Sequence, residues 1–71
     1  MDKSRKKILA SNLKAERNRK GYTQFQLAEK TNVSESTISL IERGLQAPSV
    51  FLVLDIAKAL DINVVDLLKN V

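Results

Sequence analysis

The hydrophobic positions of this chain recur at helical spacing, and the polar residues between them are of the kinds that start and stop helices. Leu9 and Leu13 stand four apart in a stretch from about Ser4 to Lys20, which predicts a first helix with a narrow apolar stripe. Thr23 and Gln26 have the Thr-x-x-Gln spacing of a capping box and open a second helix that ends near Thr31. Ser34 is the expected N-cap of a third helix, and Gly44 closes it, because glycine takes the left-handed C′ conformation at least strain. A fourth helix is expected from about Ser49 to Leu60, with Val50, Val53, Ile56, Ala57 and Leu60 inward. Asn63 caps a short fifth helix, whose Val64, Leu67 and Leu68 face the core. Gly21, Asn32, Gly44 and Pro48 supply the punctuation. With no long alternating run, internal repeat or low-complexity linker, the expected fold is all-α, one domain over residues 1–71, with residues 1–7 a candidate basic arm.

The third helix has an unusual outer face. At about 100° per residue, Ile38 and Ile41 fall on one side. Ser36, Ser39, Leu40 and Arg43 gather in a sector almost opposite. That sector is too polar for a core and too weakly charged for an ordinary solvated face, which suits a surface that reads something.

The second and third helices are joined by only a few residues around Asn32 and Val33, too few for long helices to fold back antiparallel, so they cross steeply. Ala28 then sits at the closest approach, Asn32 takes the left-handed turn, and Val33, Ile38 and Ile41 fill the angle. A small residue, a turn residue four later, and apolar residues five, ten and thirteen later make up the helix-turn-helix pattern, parts of which an ordinary αα-corner shares. The segment YTQFQLAEKTNVSESTISLIERG, followed by QAPSVFLVLDIAKALDINVVDLL, resembles the Xre/Cro-type helix-turn-helix family of phage repressors and bacterial regulators over roughly residues 8–68. The resemblance implies a compact five-helix, lambda-repressor-like DNA-binding domain that works as a two-fold dimer on a palindromic operator. Where that family usually has glycine in the turn this chain has Asn32, which also tolerates left-handed backbone.

Composition agrees with a binding role. The chain has 71 residues, no Cys and no His, so disulfides, thiolate metal sites and the commonest general base are missing, and the acidic residues show no metal-ligand spacing. No enzyme activity, metal, cofactor or small-molecule ligand is expected. No long apolar run or signal-type segment occurs, and a cytoplasmic protein is the expectation. The net charge of +4 is uneven: residues 1–20 hold eight Lys or Arg against two acids, a surplus of six, which leaves the remainder at minus two. Such a segment suits a polyanion, either nucleic acid or an anionic membrane surface, or is a plain solvated basic helix. The membrane reading is the weaker, since the apolar stripe of that helix is needed for the core.

Set against the family, individual side chains acquire expected roles. Its base-reading positions correspond to Glu35 and Ser36, with Leu40 one turn on. By chemistry Glu35 accepts from a cytosine amino group or simply favours the positive end of the helix, Ser36 donates or accepts, and Leu40 meets a thymine methyl. Ser39 reads as a solvent-facing filler. Phosphate contacts are expected from Thr23, Gln24, Ser34, Arg43 and Gln46 around the ends of the second and third helices, Gln24 by its match to the family's glutamine. Lys3, Arg5, Lys6 and Lys7 serve as an arm, as general attraction, or as a solvated tail.

Two charges border the core stripes, Arg17 four residues after Leu13 and Glu42 four after Ile38. A partly buried acid must be paired, so an Arg17 to Glu42 ion pair is expected, as at the matching positions of the family, although Glu16 lies nearer the first helix's stripe. The fourth helix is apolar almost all round, with Phe51, Leu52 and Leu54 outside its inward stripe. A domain this small cannot wrap such a helix alone, so Phe51, Leu52, Leu54, Val65 and Leu68 are the expected homodimer interface. The leading expectation is a sequence-specific, double-stranded-DNA-binding repressor or autoregulator. The alternative is a protein-interaction module, such as an antitoxin or adaptor, that uses the fourth-helix face.

Overall fold

The computed structural model describes residues 2–71, and side chains from residue 4 onward. The chain forms five helices: α1 (Asp2–Lys20), α2 (Gln24–Thr31), α3 (Glu35–Glu42), α4 (Val50–Leu60) and α5 (Val64–Leu68), with no strand among the described residues. At 1.5 Å per residue, α1 accounts for most of the 31 Å long axis, and the shorter helices gather around it.

Helix boundaries follow local side-chain chemistry. Thr23 and Gln26 form a complete capping box, each side chain bonded to the other's backbone N–H at 2.9–3.0 Å. Ser34, Ser49 and Asn63 cap α3, α4 and α5 through their side-chain oxygens. Asn32 ends α2 in the left-handed region at φ 60°, and its neighbour Val33 donates back to the Ala28 carbonyl, which produces the sharp corner between α2 and α3. Asp61 makes the same left-handed exit from α4 at φ 54°, at a position that carries no glycine or asparagine signal.

The core is assembled from one stripe of each helix: Leu9 and Leu13 from α1, Leu27 and Ala28 from α2, Ile38 and Ile41 from α3, Val53, Ile56, Ala57 and Leu60 from α4, and Leu67 from α5. Val33, Val64 and Leu52 are partly buried and pack against this cluster. Burying a leucine or isoleucine contributes about 1.5–3 kcal/mol, and a small chain depends heavily on these few residues.

Two inward assignments are corrected. Val50 is 65% exposed, because it is the first residue of α4 and projects beyond the neighbouring helices. Leu68 is 43% exposed at the last position of α5, whereas its neighbour Leu67 is buried in the core.

Long-range hydrogen bonds fasten the short fifth helix. Asn12 Nδ2 donates to the Leu67 and Lys69 carbonyls at 2.9 and 2.8 Å, and Arg5 Nε donates to the Val71 carbonyl at 3.0 Å. The end of a five-residue helix leaves carbonyls without internal partners, and α1 supplies them.

Candidate nucleic-acid interface

Helix α3 is set against the core by Ile38 and Ile41, both essentially inaccessible, and this rotation fixes what faces outward. Glu35, Ser36 and Arg43 are exposed, while Ser39 and Leu40 are half-buried. These five residues and Gln24 of α2 line one shallow groove. Ser36 and Ser39 are the short side chains of this lining, which the longer Gln24, Glu35, Leu40 and Arg43 complete. Ser39, expected as a solvent-facing filler, is part of this lining.

The scaffold behind the groove is polar and fully paired. Arg17 is 8% exposed and holds Glu42 by two hydrogen bonds, Nε to Oε2 at 2.6 Å and Nη2 to Oε1 at 2.9 Å. Its remaining terminal nitrogen donates to the Tyr22 carbonyl at 2.7 Å. One guanidinium therefore joins the end of α1, the turn into α2 and the last residue of α3, in the planar geometry that suits arginine rather than lysine. The hydrogen bonding that Arg17 donates to Glu42 is the main influence raising the Arg17 pKa above the ordinary arginine value; burial opposes it, and the charge of Glu42 adds to it. Glu16 is engaged elsewhere, with Arg19 one turn away on the same helix.

Gln24 Nε2 donates to Glu42 Oε1 at 3.1 Å. These residues are 18 positions apart, and no spacing rule links them. The Thr23 hydroxyl serves the α2 cap, and the Ser34 hydroxyl accepts from Thr37 N while sharing a hydrogen bond with the Thr37 hydroxyl at 2.9 Å. Gln46 is exposed beyond the end of α3 and does not line the groove.

The basic residues at the start of the chain lie on α1. Arg5 reaches the Val71 carbonyl, and Lys7 packs against Gly44, where a Cβ would come within 3.1 Å of Lys7 Cγ. The Lys3 side chain lies outside the described residues. Among the described residues no group of His, Cys, Asp and Glu is arranged to hold a metal ion. No described helix is long and apolar enough to cross a membrane.

Helices α4 and α5 carry a further exposed feature. Phe51 is 74% exposed, Leu54 48% and Val65 61%, alongside Val50 and Leu68. Of the five side chains expected at an interface between copies, Leu52 differs, being half-buried against its own core.

Comparisons with known proteins agree with this architecture. Residues 13–67 match the helix-turn-helix family model. The chain is 39% identical over 64 residues to the HTH-type transcriptional regulator SinR of Bacillus licheniformis, a stretch that covers 89% of this chain and 58% of that protein. It thus spans little more than half of that relative's length. It is 32% identical over 62 residues to an uncharacterized HTH-type transcriptional regulator, y4dJ, of Sinorhizobium fredii, covering 87% of this chain and 80% of the other. Among solved structures, the restriction-modification controller protein C.AhdI from Aeromonas hydrophila superposes with a TM-score of 0.88 at 29% identity, over 92% of this chain and 94% of that one. With a capped α2–α3 corner, an outward-facing α3 and these matches, the chain belongs to the Xre/Cro-type helix-turn-helix family of transcriptional regulators.

Proposed function

We propose that this protein is a sequence-specific regulator of transcription that places α3 in the major groove of double-stranded DNA. The observation that carries the reading is the groove itself. Glu35, Ser36, Ser39, Leu40 and Arg43 form a shallow outer surface on a helix whose opposite side is locked into the core. A helix with short outer side chains sinks until those side chains meet base edges. Ser36 and Glu35 are assigned to hydrogen bonding with bases, and Leu40 to a thymine methyl. Thr23, Gln24, Ser34, Arg43 and Gln46 are assigned to the phosphates on either side, where they set register without reading sequence. The surplus of positive charge in residues 1–20 supplies general attraction to the duplex.

The regulator is further proposed to act as a two-fold homodimer through α4 and α5, on a palindromic operator, as a repressor or autoregulator in the cytoplasm. The exposed Phe51, Leu54, Val65 and Leu68 support this assembly. The same apolar side chains favour a second reading, in which that face docks another protein, as in an antitoxin or adaptor.

Selection of duplexes from a random pool, followed by gel shift at two salt concentrations, tests the proposal. Enrichment of a two-fold symmetric motif with salt-sensitive binding is expected. Absence of binding to any duplex at low salt overturns it.

A further inference from the structure

Helix α1 divides its basic side chains between two sides. On one side Arg5 donates to the Val71 carbonyl and Asn12, two turns on, donates to the Leu67 and Lys69 carbonyls, so that side is engaged with the C-terminal segment. Lys6 lines a hollow there with Arg5 and Val71. Arg17 is taken up by Glu42 and Tyr22, and Arg19 by Glu16. Lys7 and Lys14 each follow Arg5 and Asn12 by two residues, which turns them to the opposite side of the helix. Both are exposed, and neither is in an ion pair among the described residues.

This free edge is the one that α3 meets. A Cβ placed on Gly44 would stand 3.1 Å from Lys7 Cγ and 3.5 Å from Lys7 Cα, so the turn that ends α3 rests directly on the stem and backbone of Lys7. Arg17, three residues after Lys14, reaches the same end of α3 through Glu42. Lys14 stands between these two contacts along α1. The loop that follows α3 offers no substitute charge: from Gly44 to Leu54 the sequence has no ionisable residue, and Arg43 is the one cationic side chain lining the groove among the described residues. A duplex seated on α3 carries its phosphates past the end of that helix, and the cations standing there beside Arg43 belong to α1.

We propose that Lys7 and Lys14 form a phosphate-binding edge, which extends the backbone contact of Arg43 beyond the C-terminal end of α3. About 10 Å of helix separates the two lysines, so each holds its own phosphate. Their ligand is the phosphodiester oxygen whatever the base, for which an ammonium on a flexible stem is a suitable point charge. They position the duplex and read no sequence. The assignment rests on the DNA reading above and localises, within the general attraction of the basic first helix, two named contacts.

The test uses the full chain and a duplex that the parent selects from a random pool. Lys7→Gln, Lys14→Gln and their double variant are compared with Lys58→Gln, a control on α4, each shown by thermal melting to be folded at the binding temperature. Glutamine removes the charge and keeps part of the stem that packs on Gly44. Anisotropy titrations over a range of salt should show the log–log slope lowered by about 0.9 in each single edge variant and by about 1.8 in the double, with the preferred motif unaltered. Lys58→Gln should keep the parent's slope, and Lys7→Arg should restore it, which separates lost charge from lost packing. Phosphate-ethylation interference should lose one sensitive phosphate in each single edge variant. Edge variants whose slopes match that of Lys58→Gln, and which retain every ethylation-sensitive phosphate of the parent, overturn the proposal and leave the DNA reading standing. A parent that binds no duplex at low salt overturns both.

Discussion

Arg17 and Glu42 meet inside the molecule through two hydrogen bonds, of 2.6 and 2.9 Å, with side chains only 10% and 2% exposed. Neither helix that contributes them needs the other for its own hydrogen bonds, so the pair is a tertiary clamp between α1 and α3. A domain of this length has a net stability of roughly 4–10 kcal/mol, against which a clamp of this kind is large.

Removing one partner leaves the other charge buried. Glu42→Ala is expected to destabilise the fold by about 3–5 kcal/mol, as is Arg17→Ala, read from chemical denaturation. The double variant should lose distinctly less than the two single losses together, and strict additivity in the cycle would mean that the pair contributes no coupling. Because the Arg17 pKa is raised, its contribution is fully present below the ordinary arginine range and fades only as pH climbs through the higher folded value. Titration of Arg17 should therefore leave the melting temperature unchanged between about pH 5 and 9.

Gly44 combines a positive φ of 74° with the close approach of Lys7. Gly44→Ala adds backbone strain and presses a Cβ to 3.1 Å from Lys7 Cγ, so a loss of about 1–2 kcal/mol is expected in denaturation experiments. Gly21 also has a positive φ, of 79°, but a Cβ added there would meet nothing within 4 Å, and Gly21→Ala should lose less.

Counterion release makes binding to DNA salt-dependent, with a log–log slope of about −0.9 for each phosphate neutralised. Arg43→Ala should weaken all duplexes to a similar degree and reduce that slope by about one contact. Anisotropy titrations at several salt concentrations measure both quantities; a slope near zero for the parent would remove the electrostatic basis of the proposed function.

Phe51→Glu places a charge on the most exposed apolar side chain of α4. Two-fold symmetry repeats every contact, and a fully buried phenylalanine contributes about 1.5–3 kcal/mol per copy, so the variant should be a folded monomer that binds an operator poorly. Sedimentation shows the mass and gel shift shows the affinity. A monomeric parent at high concentration, together with normal binding by Phe51→Glu, would transfer this face to a different partner.

The parts of this protein legible from its sequence are those governed by neighbours within about four residues. The caps at Thr23, Ser34, Ser49 and Asn63, the left-handed turn at Asn32 and the termination at Gly44 are local hydrogen-bond and backbone chemistry, which is why residue type and spacing predict them. Helical period likewise separates Ile38 and Ile41 from Ser36, Leu40 and Arg43 before any packing is known. Tertiary structure alone decided matters that depend on which surfaces meet. Val50 and Leu68 have the right residue type and nearly the right angle for the core, yet stand at helix ends that no neighbour covers. The Arg17 to Glu42 pair expected from the matching positions of the family is formed, but the helical wheel alone favours Glu16 for the inner face, and it is the approach of α3 that leaves Glu16 to Arg19. Asn12 and Gln24 show no local sign of their partners, because the Leu67 carbonyl and the Glu42 carboxylate that engage them arrive from 55 and 18 residues away. Sequence therefore determined the helices and their faces, through short-range chemistry. The orientation of each polar group between helices was decided by the packing of the buried stripes, which brings distant acceptors within hydrogen-bonding reach.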